Sequence, residues 1–239
     1  MEDIDKKLAI LAVVPARSGS KGVKNKNMRK IGGKSLVAMC GEVLRGIEQI
    51  QLAVVSTDSQ EIVQEAERAG LTAPFLRPEN LSGDFVSDIE VLTHALRESE
   101  KFSKHRFDII VMIQPTSPMR KVEDVIAVLD KLQRGHFDSV FTLTETDSKG
   151  HPYKQFAIDG DSIRHYDKRG AYVIARQELT PTYHKDGLVY ALTRECLTEQ
   201  QTLLGRKASF VITARQTVNI DTVEDLAYAE YLMLSDGSE

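Results

Sequence analysis

The chain has 239 residues, 41% of them hydrophobic, which is enough for one α/β domain with a sizeable core. Its formal net charge of −4 at pH 7 excludes a protein that attracts nucleic acid through an overall positive field. The two cysteines, Cys40 and Cys196, match no metal or redox spacing and indicate free thiols in a reducing compartment. The apolar run Leu8–Val14 stops at Pro15 and is too short for a signal peptide or a membrane span. We therefore expect a cytoplasmic protein that binds neither nucleic acid nor membrane.

Short apolar runs rich in valine and isoleucine recur along the chain and predict buried strands. They are Leu8–Val14, Leu52–Ser56, Ile109–Ile113, Ser139–Thr144, Leu188–Leu192 and Ser209–Thr213. Other segments carry apolar residues at every third or fourth position and predict helices. They are Ile62–Ala69, Val86–Leu96, Val122–Leu132 and Val223–Leu234. The alternation predicts a Rossmann-like α/β fold, in which a mostly parallel sheet has helices on both faces and binds ligands beyond the carboxyl ends of its strands.

One stretch breaks this alternation and predicts a β-hairpin. Tyr153–Ile158 and Ser162–Tyr166 are short alternating runs, and the Asp159-Gly160-Asp161 between them supplies the positive φ of a tight turn. We expect a single domain over residues 1–239, with residues 145–180 as an inserted arm. An isolated hairpin is marginal in water, so we expect its apolar side chains to pair with a second copy in a homodimer. Those side chains are Phe156, Ile158, Ile163 and Tyr166.

The segment from Pro15 to Ser35, here called the basic loop, directly follows the first predicted strand. It holds no acidic residue and seven basic ones: Arg17, Lys21, Lys24, Lys26, Arg29, Lys30 and Lys34. Glycine and serine let backbone N–H groups approach an anion, and arginine and lysine neutralise phosphate, so the loop predicts a triphosphate site. A solvated basic loop is the alternative. The loop has no G-x-G-x-x-G, and Met28 replaces the leading glycine of a Walker motif, so neither of those phosphate motifs is present.

Two blocks of sequence are highly specific when they occur together: Pro15-Ala16-Arg17-Ser18-Gly19-Ser20-Lys21-Gly22 and Gln114-Pro115-Thr116-Ser117-Pro118-Met119-Arg120. The accompanying blocks include Lys26-Asn27, Ser56-Thr57-Asp58-Ser59, Arg77-Pro78-Glu79-Asn80-Leu81, Asp138-Ser139-Val140, Arg176-Gln177, Asp186-Gly187 and Ile220-Asp221-Thr222-Val223-Glu224-Asp225-Leu226. In this order they resemble the acylneuraminate cytidylyltransferase family, whose members activate sialic acid and related bacterial nonulosonic acids. The resemblance covers nearly the whole chain and implies a fold of the nucleotide-diphospho-sugar transferase type.

The resemblance implies which residues bind the nucleotide. In the family, the residues that match Arg17, Ser20, Lys21 and Asn27 hold the CTP phosphates and the nearby ribose, in agreement with the basic loop. Arg77 is expected to help bind the nucleotide, and Ser87 to face the cytosine. The alternatives are an extended Arg-Pro loop for Arg77 and a helix N-cap for Ser87.

The sugar-binding candidates also come from the resemblance. They are Gln114, Thr116, Ser117, Lys154, Arg176 and Gln177. Gln114 and Arg176 are expected to contact the acidic sugar, since amides bond hydroxyls and arginine grips a carboxylate with two parallel hydrogen bonds. Lys154 matches a lysine that reaches into the site, and we expect it to do so from the arm of the second copy. The alternative for Thr116 and Ser117 is that they hold a turn in the loop that follows Gln114.

Asp221 is the expected ligand of Mg²⁺, because family members use an aspartate here to hold the ion on the triphosphate. Many relatives have a second aspartate two residues earlier, where this chain has Asn219, whose amide oxygen coordinates without adding charge. The alternative is helix-start chemistry, in which Asp221 pairs with Glu224 or Thr222 pairs with Asp225.

These assignments imply a cytidylyltransferase. The anomeric hydroxyl of a nine-carbon acidic sugar attacks the α-phosphorus of CTP in line, pyrophosphate leaves, and Arg17, Lys21 and Asp221 are the expected catalytic residues. The alternatives are a cytidylyltransferase for the eight-carbon sugar Kdo, whose first loop has a different Arg/Leu-containing pattern, and a non-catalytic nucleotide-binding homologue, supported by Asn219. Tyr183–Gly187 differs from many relatives near the sugar, so the sequence leaves the identity of the nonulosonic acid open.

Overall fold

The computed structural model of the protein describes residues 8–236, which form a central six-stranded sheet with helices on both faces. The strands are β1 (Ile10–Pro15), β2 (Lys30–Ile31), β3 (Lys34–Ser35), β4 (Leu52–Ser56), β5 (Ile109–Met112), β6 (Ser139–Glu145), β7 (Phe156–Asp159), β8 (Ser162–His165), β9 (Tyr183–Thr193) and β10 (Ala208–Ile212). The central sheet has the order β10-β6-β9-β5-β1-β4, and it contains all six predicted strands. The pairs β2–β3 and β7–β8 form two small ribbons.

Most neighbours in the central sheet are parallel, as the sequence predicts. Strand β1 pairs in parallel with β4 and β5, and β6 with β10. Strand β9 is the exception, because it lies antiparallel between β5 and β6. It spans Tyr183–Thr193 rather than the predicted Leu188–Leu192, since its first residues pair with the end of β6 beyond a shift in register at Phe141 and Leu143.

The helices are α1 (Leu36–Arg45), α2 (Gln60–Arg68), α3 (Asp88–Ser103), α4 (Val122–Gly135), α5 (Arg194–Thr198) and α6 (Val223–Asp236). The four helices predicted from apolar periodicity are confirmed as α2, α3, α4 and α6. Helix α1 was not predicted from the sequence. Its N-cap is Ser35, whose hydroxyl accepts a hydrogen bond from the N–H of Ala38 at 3.2 Å. Gly33-Lys34-Ser35 imitates the end of a Walker motif but has another structure. Gly33 lies in a turn, Lys34 and Ser35 form β3, and Ser35 is also the N-cap of α1.

Side chains of β1 alternate between two buried layers, which explains the continuous apolar run. Ile10, Ala12 and Val14 pack with α1, α2 and α4, whereas Leu11 and Val13 pack with α3 and α5 on the other face. Both layers exclude water almost completely, so each strand needs apolar residues on both sides. The predicted arrangement of helices on both faces is confirmed.

The connections place a topological switch point at the centre of the sheet. The chain passes from β1 outward to β4 and then returns across β1 to β5, through helices on opposite faces. In open α/β sheets the crevice beyond the carboxyl ends of such strands is where ligands bind. The basic loop follows β1 and Gln114 follows β5, so the fold brings both predicted segments to this edge.

Strands β7 and β8 form the predicted hairpin, with Gly160 at φ 55° in its turn. The ribbon is separate from the central sheet, and its apolar side chains are exposed, including Ile158 at 79% and Ile163 at 68%. Assignment of residues 145–180 as an arm of a single domain remains a prediction, and so does the homodimer. Cys40 and Cys196 are buried free thiols. Across residues 8–236 no helix has the length and apolar character needed to cross a membrane.

Candidate active site

An open cavity of about 700 Å³ lies beyond the carboxyl ends of β1, β4 and β5. Most of the predicted site residues line it: Arg17, Ser20, Lys21, Asn27, Arg77, Gln114, Thr116, Asn219 and Asp221. These residues come from four separate parts of the chain, and the fold brings them to one place. The structure therefore brings members of each predicted group, phosphate, sugar and metal, to a single cavity.

The basic loop is braced from within by Asn27. This side chain is buried, and its amide donates a hydrogen bond to the carbonyl oxygen of Arg17 at 2.8 Å. Asn25 adopts the left-handed conformation at φ 55°, which turns the chain into the short 3₁₀ helix Lys26–Met28 and carries Asn27 inward. Ser18 fixes the other end of the turn, since its N–H and hydroxyl both donate to the carboxylate of Asp58, at 2.8 and 2.9 Å. Asn27 thus organises the loop that carries Arg17.

Gly22 lets the basic loop rest directly against the segment that contains Asp221. A Cβ atom at Gly22 would lie 2.2 Å from the carbonyl oxygen of Asp221, so only glycine permits this approach. Lys26 adds a second link, because its Nζ donates to the Ile220 carbonyl at 2.8 Å and pairs with the Asp221 carboxylate at 3.0 Å. The cationic loop and the predicted metal ligand therefore share one wall of the cavity.

Arg77 is a buried part of the cavity lining rather than an exposed loop residue. It is 5% exposed, and its guanidinium donates to the hydroxyl of Ser56 at 3.1 Å and to the Ser56 carbonyl. Burial lowers the pKa of Arg77 to about 10, opposed by the negative charge of Asp58, so the side chain stays protonated at neutral pH. Arg77 is thus a buried cation that contacts the end of β4, and its role in nucleotide binding stays a prediction.

Ser87 is placed differently from its expected role. Its hydroxyl accepts from the N–H of Glu90 at 3.3 Å, and the Glu90 carboxylate accepts from the N–H of Ser87 at 2.9 Å. This reciprocal pair is a capping box that starts α3. Ser87 lines a different cavity, with Glu90 and His94, so the structure favours the capping interpretation and does not bring Ser87 to the other nucleotide candidates.

The loop after β5 is held by the buried guanidinium of Arg120. This group donates to the carbonyl oxygens of Gln114 at 2.6 Å and Gly187 at 3.2 Å, and also to that of Leu188. Ser117 is fully buried and donates to the Asp186 carbonyl at 2.9 Å, so it braces the loop instead of lining the cavity. Thr116 lines the cavity, and its carbonyl accepts the N–H of Ile220 at 2.7 Å.

The side chain of Asp221 is not the cap of α6. Thr222 and Asp225 form the reciprocal pair at the helix start: the Thr222 N–H donates to the Asp225 carboxylate at 2.8 Å, and the Asp225 N–H donates to the Thr222 hydroxyl at 3.1 Å. Asp221 contributes only its backbone N–H to Asp225, at 3.0 Å. Its carboxylate is 70% exposed in the cavity wall, and it pairs there with the Lys26 ammonium at 3.0 Å.

The sequence of the chain matches the model of the cytidylyltransferase family over residues 11–236. The chain belongs to this family. A pseudaminic acid cytidylyltransferase of Campylobacter jejuni is 27% identical, over 93% of this chain and 95% of that protein. A CMP-N,N′-diacetyllegionaminic acid synthase of Legionella pneumophila is 28% identical, over 95% of this chain and 97% of that protein. The solved structure of a CMP:2-keto-3-deoxy-manno-octonic acid synthetase complexed with CTP superposes with a TM-score of 0.72 at 18% identity, covering 95% of this chain and 99% of that one.

Besides Ser117, three expected sugar-binding residues of this cytidylyltransferase do not line the cavity. Lys154, Arg176 and Gln177 are exposed in short 3₁₀ turns on either side of the β7–β8 ribbon. Arg176 instead borders a separate cavity of about 350 Å³ with Thr146 and Leu179. The structure of one chain thus separates these residues from Gln114.

The cavity of the cytidylyltransferase is also lined by three charged residues that were not individually predicted as site residues: Lys26, Asp84 and Asp88. Burial raises the pKa of Asp88, opposed by the positive charges of Lys185 and Arg77. The available signals were the place of Lys26 in the basic loop and of Asp84 just after the block that ends at Leu81, and neither indicates the partner of the side chain. Those partners are set by the close approach of distant segments.

Proposed function

We propose that this cytidylyltransferase transfers CMP from CTP to the anomeric hydroxyl of a sialic-acid-like nonulosonic acid and releases pyrophosphate. The observation that carries the proposal is the single cavity that contains Arg17 and Lys21, the Gln114 loop and Asp221. The similar proteins of Campylobacter jejuni and Legionella pneumophila are named for pseudaminic and diacetyllegionaminic acid, at 27 and 28% identity. The Kdo-type structure shares the fold at only 18% identity, and the sequence of the basic loop argues against that substrate.

The residues of the cavity suit an in-line displacement at phosphorus. Arg17 and Lys21 bind the phosphates and stabilise the charge that develops on them, which is the main source of catalysis in such reactions. Arg77 holds the nucleotide from the buried side, and the Asn27 amide keeps the carbonyl of Arg17 fixed. Gln114 binds the sugar from a loop whose shape Arg120 maintains.

We expect the enzyme to use Mg²⁺, held by Asp221 with the amide oxygen of Asn219. Both side chains line the cavity that contains Arg17 and Lys21, and oxygen donors are what Mg²⁺ prefers. Among residues 8–236 there is no group of three or more His, Cys, Asp and Glu arranged to hold a metal. Mg²⁺ typically uses one or two carboxylates together with substrate phosphates, so the donor set fits. When bound, the ion neutralises charge on the phosphates.

The enzyme is expected to act as a homodimer in the cytoplasm, where its two free buried cysteines remain reduced.

Sedimentation at micromolar concentration should show a dimer, because the ribbon exposes apolar side chains that a second ribbon would cover. Ile158→Asp should shift the protein to monomer. Phe102→Asp, at a 57% exposed site on α3 outside the ribbon, serves as the control and should leave the dimer intact. A monomeric natural protein would contradict the homodimer and a contribution of Lys154 across subunits.

Pyrophosphate release from CTP tests the proposed function directly. The acceptors are N-acetylneuraminic, N,N′-diacetyllegionaminic and pseudaminic acids, with Kdo as the discriminating control. We expect release with at least one nonulosonic acid and none with Kdo. Release with Kdo alone would overturn the proposed substrate class, and no release with any acceptor at saturating Mg²⁺ would favour a non-catalytic protein.

A further inference from the structure

Asp84 holds both of the cations that the proposed function assigns to the phosphates of CTP. Arg17 Nη1 lies 2.6 Å from Asp84 Oδ1, and Lys21 Nζ pairs with Asp84 Oδ2. Each carboxylate oxygen therefore has its own cation, much as two phosphate oxygens would. Within residues 8–236, neither Arg17 nor Lys21 forms another ion pair.

This arrangement opposes the binding of a polyphosphate. Hydrogen bonds from Lys21 and Arg17 hold the pKa of Asp84 below its usual range, so the carboxylate is ionised at neutral pH. A carboxylate that stays on these cations would neutralise them and repel an incoming phosphate. The cations can serve the phosphates only if Asp84 leaves them.

The loop that carries Asp84 is built in a way that permits such movement. It spans residues 82–86, between the 3₁₀ turn Glu79–Leu81 and the capping box that starts α3. Within it, Phe85 is fully exposed, and a Cβ atom on Gly83 would meet no atom closer than 3.8 Å. The two ion pairs thus join this loop to the basic loop, and none of residues 82–86 belongs to the buried core.

We propose that Asp84 occupies the phosphate position on Arg17 and Lys21 in the free protein and must be displaced when a polyphosphate binds. The inference rests on the proposed function, because it takes the basic loop as the binding site of the triphosphate. The contact makes Asp84 a residue that determines ligand specificity. A ligand with several phosphate charges replaces the carboxylate on both cations, whereas a nucleoside without phosphate has nothing to offer them.

The test is calorimetric binding of inorganic tripolyphosphate, CTP and cytidine to the full chain in the presence of EDTA, so that no turnover occurs. Asp84→Asn keeps the size of the side chain but removes its charge. It should tighten binding of tripolyphosphate and CTP by about three- to tenfold, the range expected from losing two partly exposed ion pairs. Cytidine should bind equally to both proteins.

Glu79→Gln is the matched control, because it makes the same change in net charge at an exposed position that does not line the cavity. It should leave all three affinities unchanged. Weaker or unchanged binding of tripolyphosphate by Asp84→Asn would overturn the inference, and weaker binding would show that the carboxylate organises the cations. Equal tightening by Glu79→Gln would show that the effect comes from the change in net charge, and this too would overturn the inference.

The outcome is separable from the proposed function, because tripolyphosphate binding does not depend on turnover. A natural protein that lacks CTP turnover, combined with tightened binding in Asp84→Asn, overturns the proposed reaction and supports the displacement. CTP turnover by the natural protein, combined with unchanged tripolyphosphate binding in Asp84→Asn, supports the proposed reaction and overturns the displacement. Failure of both proteins to bind tripolyphosphate contradicts the displacement together with the phosphate assignment of the basic loop.

Discussion

Lys21→Ala should lower CTP turnover by at least about a hundredfold, because the ammonium group stabilises the charge that develops on the phosphates in the transition state. The side chain of Lys21 is 79% exposed, and among residues 8–236 its one ion pair is with Asp84, so its removal should leave folding intact. Steady-state pyrophosphate release, measured beside the thermal unfolding midpoint, separates the two effects.

Lys24→Ala is the matched control for this experiment. Lys24 is an exposed lysine of the same loop, but its side chain does not line the cavity. The two variants have the same net charge, so a change in the overall field of the protein would affect both equally. If Lys21→Ala retains turnover within about twofold of the natural protein, the phosphate assignment is wrong.

Asp221→Asn should lower turnover at saturating Mg²⁺ by at least about a hundredfold, because the variant loses the one carboxylate of the proposed metal site. Asn219→Asp should act in the opposite direction on metal binding, since a charged oxygen replaces a neutral one. Binding of Mn²⁺, followed by electron paramagnetic resonance, should weaken in Asp221→Asn and tighten in Asn219→Asp, independently of activity.

Glu224→Gln removes a carboxylate only three residues from Asp221, at the start of α6 and outside the cavity, and should change neither turnover nor metal binding. Unchanged rate and metal dependence in Asp221→Asn would contradict the metal assignment. If the natural protein shows no turnover at all, recovery of activity in Asn219→Asp would show that the natural protein lacks a charged metal ligand at this position.

The sheet could be predicted from the sequence because its strands are buried on both faces. A continuous apolar run such as that of β1, in a chain where helices alternate with strands, is typical of a strand covered on both sides. The length of β9 could not be predicted, since its first residues, including His184 and Lys185, are polar and join the sheet only through pairing with Thr144 and Leu143. Helix α1 follows two short strands, and its cap depends on the turn that they form.

The sequence predicts many of the residues that line the cavity, but not the contacts between them. Two spacings, Asp221 with Glu224 and Thr222 with Asp225, both fit a helix start, and only the structure shows that Thr222 and Asp225 form it. Ser87 also fitted two roles, and its pairing with Glu90 favours the cap. The contact of Asp84 with Arg17 joins residues 67 positions apart in the chain, beyond the reach of local patterns.

Parallel reactions with [α-³²P]CTP and [γ-³²P]CTP, followed by separation of the products, show whether the enzyme transfers the α-phosphorus of CTP to a nonulosonic acid. We predict that the α-label enters a sugar-linked product and the γ-label appears in pyrophosphate. Transfer of the γ-label to the sugar, or an α-label found only in free CMP, would rule out this reaction.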